Sequence, residues 1–243
     1  MSDFSVLAPY YDEINGSSYE KYADFLEACF KKADIKVREV LDLGCGTGGI
    51  AAILASRGYD MVALDNSAEM LDIARENNEG KNTLLICQDM RDFELYGTVQ
   101  AVYSSFDCLN YVLKEADVKK IFALVRNYLE AGGVFAFDVN TLYRYKNVFD
   151  GKTTVYESGG DEIIWQSAFN EKTKICDFYI DVYQVGGDGR YDRYFERQKQ
   201  KFHSEAALLK AADGFTLIGK SFGKGFDGCE EAEKVYYLFR KDE

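Results

Sequence analysis

The sequence predicts a doubly wound α/β fold interrupted by a β-rich insertion, and three observations predict it. From Val37 onward, short apolar runs alternate with segments of helical periodicity, the pattern of a parallel sheet covered on both faces. Between residues 141 and 203 the pattern changes to long period-2 alternation, which marks antiparallel strands. From residue 204 the helix and strand pattern returns, so the end of the chain rejoins the first unit. A length of 243 residues with 47% hydrophobic content suits one domain with an embedded subdomain.

The elements follow in order. Residues 18–33 place Tyr22, Phe25, Leu26, Cys29 and Phe30 at the spacing of an amphipathic helix. Strands are expected at Val37–Leu43, Asp60–Leu64, Thr83–Cys87, Ala101–Ser104 and Val134–Phe137, separated by helices at Gly49–Arg57, Ala68–Asn77 and Ala116–Leu129. Within the insertion, Glu162–Asn170, Lys174–Val185 and Arg190–His203 read as strands, the last two joined through Gly186-Gly187-Asp188-Gly189. A short helix near Glu205–Ala212 and strands at Phe215–Ser221 and Lys234–Arg240 complete the chain. This divides it into an N-terminal helical cap (1–35), a core (36–140 and 204–243) and the insertion (141–203).

With 29 Lys and Arg against 41 Asp and Glu, the formal charge of −12 disfavours nucleic acid and anionic membranes, whose binding draws on cationic side chains. The opening MSDFSVLAPYYDEI has neither a basic n-region nor an apolar h-region, and no run approaches the ~18 apolar residues of a spanning helix, so a cytoplasmic location is expected. Six cysteines without a CxxC pair, and His203 as the one histidine, lack metal-ligand spacing; no metal is expected.

The most informative stretch is Val40-Leu41-Asp42-Leu43-Gly44-Cys45-Gly46-Thr47-Gly48-Gly49, where the first strand runs into a helix. Glycines there permit a tight turn and close approach to a ligand at a helix N-terminus. Gly44, Gly46 and Gly49 satisfy GxGxxG, a weak signal by itself that keeps an NAD-dependent oxidoreductase as a rival reading. Asp42, two residues before the first glycine, suits a cation and repels a pyrophosphate. Asp65 ends the second strand, where a carboxylate can accept from ribose hydroxyls, and Asp89 ends the third. Ligands of such sheets sit at the carboxyl ends of the strands, so the three carboxylates would ring one crevice and favour a positively charged nucleoside. Simpler roles stand beside these: Asp65 and Asp89 as caps, Met70 as helix core, Cys45 as a small turn-filler.

With these residues in place, the chain resembles the class I S-adenosylmethionine-dependent methyltransferases. VLDLGCGTG resembles the family's first motif, VALDNSAEML the second, QDMRDF the third, and LEAGGVFAFDVN the segment closing the parallel sheet, together covering roughly residues 36–140. More loosely, YYDEI with Tyr19 and Tyr22, the SSFDCLNYV stretch and the β-rich insertion resemble a bacterial small-molecule subgroup. The resemblance implies a Rossmann-like seven-stranded sheet, mostly parallel with an antiparallel last strand, and S-adenosylmethionine as cofactor. It implies that Asp42 and the turn through Gly44, Cys45, Gly46 and Gly48 support the methionine moiety, and that Asp65 holds the ribose hydroxyls with Asn66 and Met70 near the nucleoside. Asp89 and Met90 would then receive adenine, Ser105 would face the sulfonium, and Tyr22 would reach the cofactor from the N-terminal cap.

On the acceptor side, a small molecule is expected. Tyr11, Phe106, Asp107, Asn110 and Tyr111 are candidates for its wall, with Asp138 at the end of the fifth strand. The insertion holds 13 of the 36 aromatic residues, including Trp165, which suits either a lid over the substrate or a homodimer contact. In Arg190–His203 the positions Tyr194, Glu196, Gln198 and Phe202 share one face; Arg193, Arg197, Lys199 and Lys201 share the other, placed to pair with Asp177 and Asp181. The subgroup often carries R-x-x-E-x-H here, and Gln198, a candidate acceptor contact like Trp165, stands where the histidine would be, which admits a catalytically silent binding protein as a second rival. His203 lies on the opposite strand face and is a poor substitute. Gln100, where the family usually has aspartate, is remote from the crevice.

Overall fold

The computed structural model describes residues 4–15, 18–223 and 232–243. Apolar runs buried on both faces form the centre of a sheet: β1 (Glu39–Leu43), β2 (Asp60–Asp65), β3 (Thr83–Cys87), β4 (Val99–Ser104) and β5 (Leu129–Asn140). These five are parallel to one another, and β11 (Lys234–Lys241) lies antiparallel between β5 and β10 (Phe215–Phe222). The resulting seven-stranded order is β10-β11-β5-β4-β1-β2-β3, the expected topology with its antiparallel closing strand.

Helices cover both faces because alternate residues of each strand point to opposite sides. On one face Leu41, Val102, Phe135, Phe137 and Phe239 pack under α5 (Glu115–Tyr128) and α6 (Glu205–Ala211), with Phe122 in edge contact with Phe135, Phe137 and Phe239. On the other, Val40, Ala63, Ala101 and Tyr103 pack under α2 (Tyr19–Phe30) and α3 (Gly49–Ser56). A short α1 (Tyr11–Asn15) precedes α2, and α4 (Ala68–Asn77) joins β2 to β3.

The insertion forms a separate antiparallel sheet of four strands, β6 (Thr153–Ser158), β7 (Asp161–Asn170), β8 (Ile175–Val185) and β9 (Tyr191–Lys201). The sequence patterning predicts three; β6 escapes it because Thr153–Glu157 are all exposed, so neither face carries an apolar signal. The fifth strand of the core also runs longer than Val134–Phe137, beginning at Leu129 directly after α5. Register places Phe178 opposite Gln198 and Ile180 opposite Glu196, so these four residues share the inner face. That face buries Ile163, Ile180 and Val182 against Leu7 and Tyr10 of the N-terminal segment, and Phe178 against Tyr145 and Phe149. On the outer face Arg193 pairs with Asp181 at 2.5 Å, while Arg197 and Lys199 share Asp177 at 2.9 and 3.1 Å, the cross-strand pairing the alternation predicts. No helix among the described residues is long and apolar enough to cross a membrane.

Candidate active site

The carboxyl ends of β1, β2 and β4 converge on the glycine turn. Gly44 and Cys45 both donate their N–H to the Leu64 carbonyl, at 2.8 and 2.9 Å, which folds the turn back over β2. Gly44 has φ +85°, and a Cβ there would lie 2.2 Å from the Cys108 sulfur, so both conformation and space demand glycine. Gly46 donates its N–H to Asp65 Oδ2 at 2.8 Å, and Ser67 donates to Asp65 Oδ1 at 2.9 Å. Ser67, not Asp65, caps α4 by accepting from Met70, which leaves the Asp65 carboxylate directed at the turn. Burial raises the Asp65 carboxyl above its usual range, and the surrounding backbone N–H groups oppose that rise.

Asp42 is the most perturbed acid of the group. It is 1% exposed; Oδ2 accepts from the Tyr103 hydroxyl at 2.6 Å, while Oδ1 is buried without a partner among the described residues. Burial pushes its carboxyl up to about 8, with the Tyr103 hydrogen bond pulling it down and the charge of Asp65 adding to the rise. A buried carboxylate oxygen without a donor is costly unless a ligand supplies one.

Beside the turn opens a cavity of about 360 Å³. Gly44, Gly46, Asn66, Met70, Met90 and Ser105 line it together with Cys108. Aromatic and aliphatic side chains continue the wall: Phe4, Tyr11, Phe106, Tyr111, Val112 and Leu113. Arg91, Lys114, Asp117, Arg197 and Lys199 supply its charged, solvent-reaching edge.

The Phe106 wall rests on a buried ion cluster. Phe106 and Asp107 both have left-handed backbone, φ 54° and 53°, unfavourable for residues with side chains unless the surroundings enforce it. The Asp107 N–H donates to Asp138 Oδ2 at 2.9 Å, and Lys234 of β11 donates to Asp107 at 2.7 Å and to Asp138 at 2.8 Å. Tyr22 donates to the other Asp138 oxygen at 2.5 Å, and Gln200 of β9 donates to Asp107 at 2.6 Å. Burial works against the Lys234 ammonium, but the two aspartates outweigh it and hold its pKa well above the ordinary lysine value. Phe106 is thereby held against Tyr22 and Tyr19, ring centroids 5.3 and 5.6 Å away.

The N-terminal segment closes over the turn through Asp12, which accepts from Tyr19 at 2.7 Å, Thr47 at 2.5 Å and Asn77 at 3.0 Å. It is also tied to the insertion, Val6 donating to Glu196 at 3.0 Å and Tyr10 to Asp161 at 2.7 Å.

Of the residues singled out in the sequence, the cavity gathers Tyr11, Gly44, Gly46, Asn66, Met70, Met90, Ser105, Phe106 and Tyr111. Asp42 and Asp65 lie behind this lining at the turn, and Cys45 and Gly48 form the turn's far side, Gly48 capping α3. Asp89 stands apart: Arg91 bonds both carboxylate oxygens, and its own backbone N–H closes an Asp89 turn. Burial opposes ionisation of Asp89, but Arg91 prevails and holds its pKa below the usual range. Tyr22 is engaged with Asp138 and reaches the cavity only through Phe106.

Five expected acceptor contacts are not in the cavity wall, Asp107 and Asp138 among them because both are engaged with Lys234 in the ion cluster. Asn110 is fully buried, donating to the Lys201 carbonyl at 2.8 Å and accepting from Asn140 N–H at 2.9 Å. Trp165 packs edge-on against Phe178 inside the insertion. Gln198 is 0% exposed, accepts from the Tyr111 hydroxyl at 3.0 Å and donates to Glu196, so it braces the wall from behind. His203 is also outside; burial and Lys201 lower its pKa. Sequence reasoning missed Phe4, Arg91, Cys108, Val112, Leu113, Lys114 and Asp117 as cavity residues, and assigned Arg197 and Lys199 only to surface pairing. No local pattern marks Phe4; Arg197 and Lys199 reach the cavity because β9 is an edge strand of its sheet.

Residues 40–133 match the family model described as a methyltransferase domain. A protein of Geobacillus sp. (strain WCH70) that carries the name of a methyltransferase is 28% identical over 248 residues, covering 98% of this chain and 99% of the relative. YqeM of Bacillus subtilis (strain 168), likewise named for a methyltransferase, is 30% identical over 198 residues, 80% of this chain and 78% of its own length. Among solved structures, an S-adenosylmethionine-dependent methyltransferase from Clostridium acetobutylicum ATCC 824 superposes with a TM-score of 0.84 at 26% identity, covering 98% of both chains.

Proposed function

This chain belongs to the class I S-adenosylmethionine-dependent methyltransferases, and on that premise we propose that it methylates a small-molecule amine. The observation that carries the reading is the shape and lining of the cavity: about 360 Å³, running from the glycine turn to an aromatic wall and covered by the N-terminal segment.

The residues present fit the cofactor. The partnerless Asp42 Oδ1 suits an ammonium group, and each Asp65 oxygen keeps acceptor capacity for a hydroxyl beyond its one backbone N–H. Asn66, Met70 and Met90 offer a half-apolar slot for a nucleoside, and Gly44, Gly46 and Ser105 present backbone beside it. Asp89 is not included, because an incoming amine would compete with the Arg91 guanidinium for both of its oxygens. When bound, S-adenosylmethionine supplies a methyl group on a sulfonium cation.

The chain's own contribution is alignment. Holding the acceptor against Phe106 and Tyr111 converts a two-body encounter into a positioned one, worth on the order of 7–11 kcal/mol in favourable cases. Among the described residues the cavity lining contains no histidine, and its one carboxylate is Asp117 at the charged edge. A neutral amine attacks without first losing a proton, and that is the acceptor chemistry such a wall serves. Enclosure also limits acceptor size, which favours a metabolite over a polymer.

Calorimetry with S-adenosylhomocysteine tests the cofactor half: binding is expected in the micromolar range and about ten- to hundredfold weaker in Asp65→Ala, the cost of a lost charge-assisted hydrogen bond. No heat with this ligand, but tight NAD binding, would sink the reading. Turnover of methyl-labelled cofactor against a panel of small amines, hydroxy compounds, protein and RNA tests the acceptor half. Label in small amines supports the proposal; label in polymers or hydroxyls, or no turnover at all, overturns it.

A further inference from the structure

The cavity is electrostatically polarised along its wall. Behind its lining at the glycine turn lie Asp42 and Asp65; at its charged edge stand Arg91, Lys114, Arg197 and Lys199 with Asp117 as the one acid. This concentration of cations is unexpected in a chain of net charge −12 whose first 140 residues carry 13 basic and 23 acidic side chains. The pairing of these cations is also incomplete. Arg91 is satisfied by Asp89 at 2.5 Å, but Arg197 and Lys199 share the single carboxylate of Asp177. Lys114 has no hydrogen bond or ion pair from its ammonium among the described residues. All three remain solvated, Arg197 and Lys199 with side chains 46% and 41% exposed, so a ligand can reach them without a large desolvation cost.

We propose that this edge is an oxyanion subsite, and that the methyl acceptor carries a phosphate or carboxylate group held by Lys114, Lys199 and Arg197. The inference rests on the methyltransferase reading and adds the substrate's charge to it. Cofactor and acceptor then meet opposite ends of one field: the cationic donor is favoured at the aspartates and the anionic tail at the basic edge, with the apolar wall of Phe106, Tyr111, Val112 and Leu113 between them. The arrangement also orders the acceptor, because a molecule anchored by its anion presents its uncharged end toward the turn. On a surface that is otherwise acidic, the same edge steers anions to the cavity mouth.

The test uses the full chain saturated with S-adenosylhomocysteine, so that the cofactor's own carboxylate is already in place, titrated with inorganic pyrophosphate in one arm and succinate in the other. Saturable binding is expected in at least one arm, weakening about tenfold or more (about 1.4 kcal/mol) in the double variant Lys114→Met/Lys199→Met and with added salt. Lys120→Met, which removes an exposed cation paired with Asp92 outside the cavity, serves as the control for charge loss away from the edge and is expected to leave that binding unchanged. Tighter pyrophosphate points to a phosphorylated acceptor and tighter succinate to a carboxylate. Binding in neither arm, or equal loss in the control, overturns the subsite. A double variant whose defect is in adenosylhomocysteine affinity also overturns it, assigning the edge to the cofactor instead. Failure of adenosylhomocysteine to bind the unaltered chain is a separate result that removes the methyltransferase reading itself.

Discussion

The glycine turn and the aromatic wall line one cavity but are assembled differently. The turn is built from residues 42–67, whose β1 and β2 are hydrogen-bonded neighbours, and it is held by backbone amides and the carboxylates of Asp42 and Asp65. The wall draws Phe4, Tyr11, Phe106, Tyr111 and Arg197 from three distant parts of the chain. One depends on short-range backbone geometry; the other depends on a buried ion cluster joining the segment after β4 to β5, β11 and α2. Substitution should therefore separate the two halves.

The largest effect is expected from Lys234→Met. It leaves Asp107 and Asp138 buried without their cation, and a buried pair broken from one side costs about 3–5 kcal/mol. Denaturant unfolding should show that loss, while the folded fraction retains adenosylhomocysteine affinity within about threefold. A variant as stable as the parent, or one that loses cofactor binding in proportion, would erase the distinction between the halves.

Next in size is a pH effect confined to the turn. Burial raises the Asp42 carboxyl from 3.8 to about 8, so the free folded protein binds more protons than the unfolded chain between those values. This contribution to the free protein's stability therefore falls as pH rises through that window and is constant above it. An ammonium ligand favours the ionised carboxylate, so affinity for adenosylhomocysteine should tighten by up to about tenfold per unit from about pH 6 to about pH 8 and then level off. Proton release on binding, read by calorimetry at about pH 7 in buffers of different ionisation enthalpy, checks the sign. Proton uptake, or an affinity flat across this range, would remove Asp42 from the ligand's environment.

The smallest effect is expected at Tyr111→Phe. The ring stays and the hydrogen bond to Gln198 is lost, about 1 kcal/mol of stability. Cofactor affinity should be unaffected and acceptor KM raised a fewfold; a change in cofactor affinity would show the wall and turn to be coupled.

The same contrast explains what was readable from the sequence. The turn, its acids and the order of strands are local patterns, and they appear where periodicity and glycine spacing place them. Asp89 was readable as an acid ending β3, but its capture by Arg91 is a side-chain choice that spacing does not encode. Gln198 was correctly placed on one face of β9, yet which face turns inward is decided by packing against Phe178 and Tyr111. Likewise β6 carries no alternation because both its faces meet solvent, and it exists through pairing with β7. Phe4 enters the cavity through tertiary contact alone, its ring packed edge-on against Tyr11 and Tyr111.

The two sulfurs at the turn bear on a hazard that any alkylating cofactor poses to its host. A thiolate is a strong nucleophile and a thiol is not. Cys108 lies in the cavity wall beside Gly44, and Cys45 lies within the turn on its far side. Burial raises both thiols well above their ordinary pKa, and the negative charges of Asp42 and Asp65 push them further in the same direction. The carboxylates at the turn thus add to burial in keeping the neighbouring sulfurs in the protonated, weakly nucleophilic form.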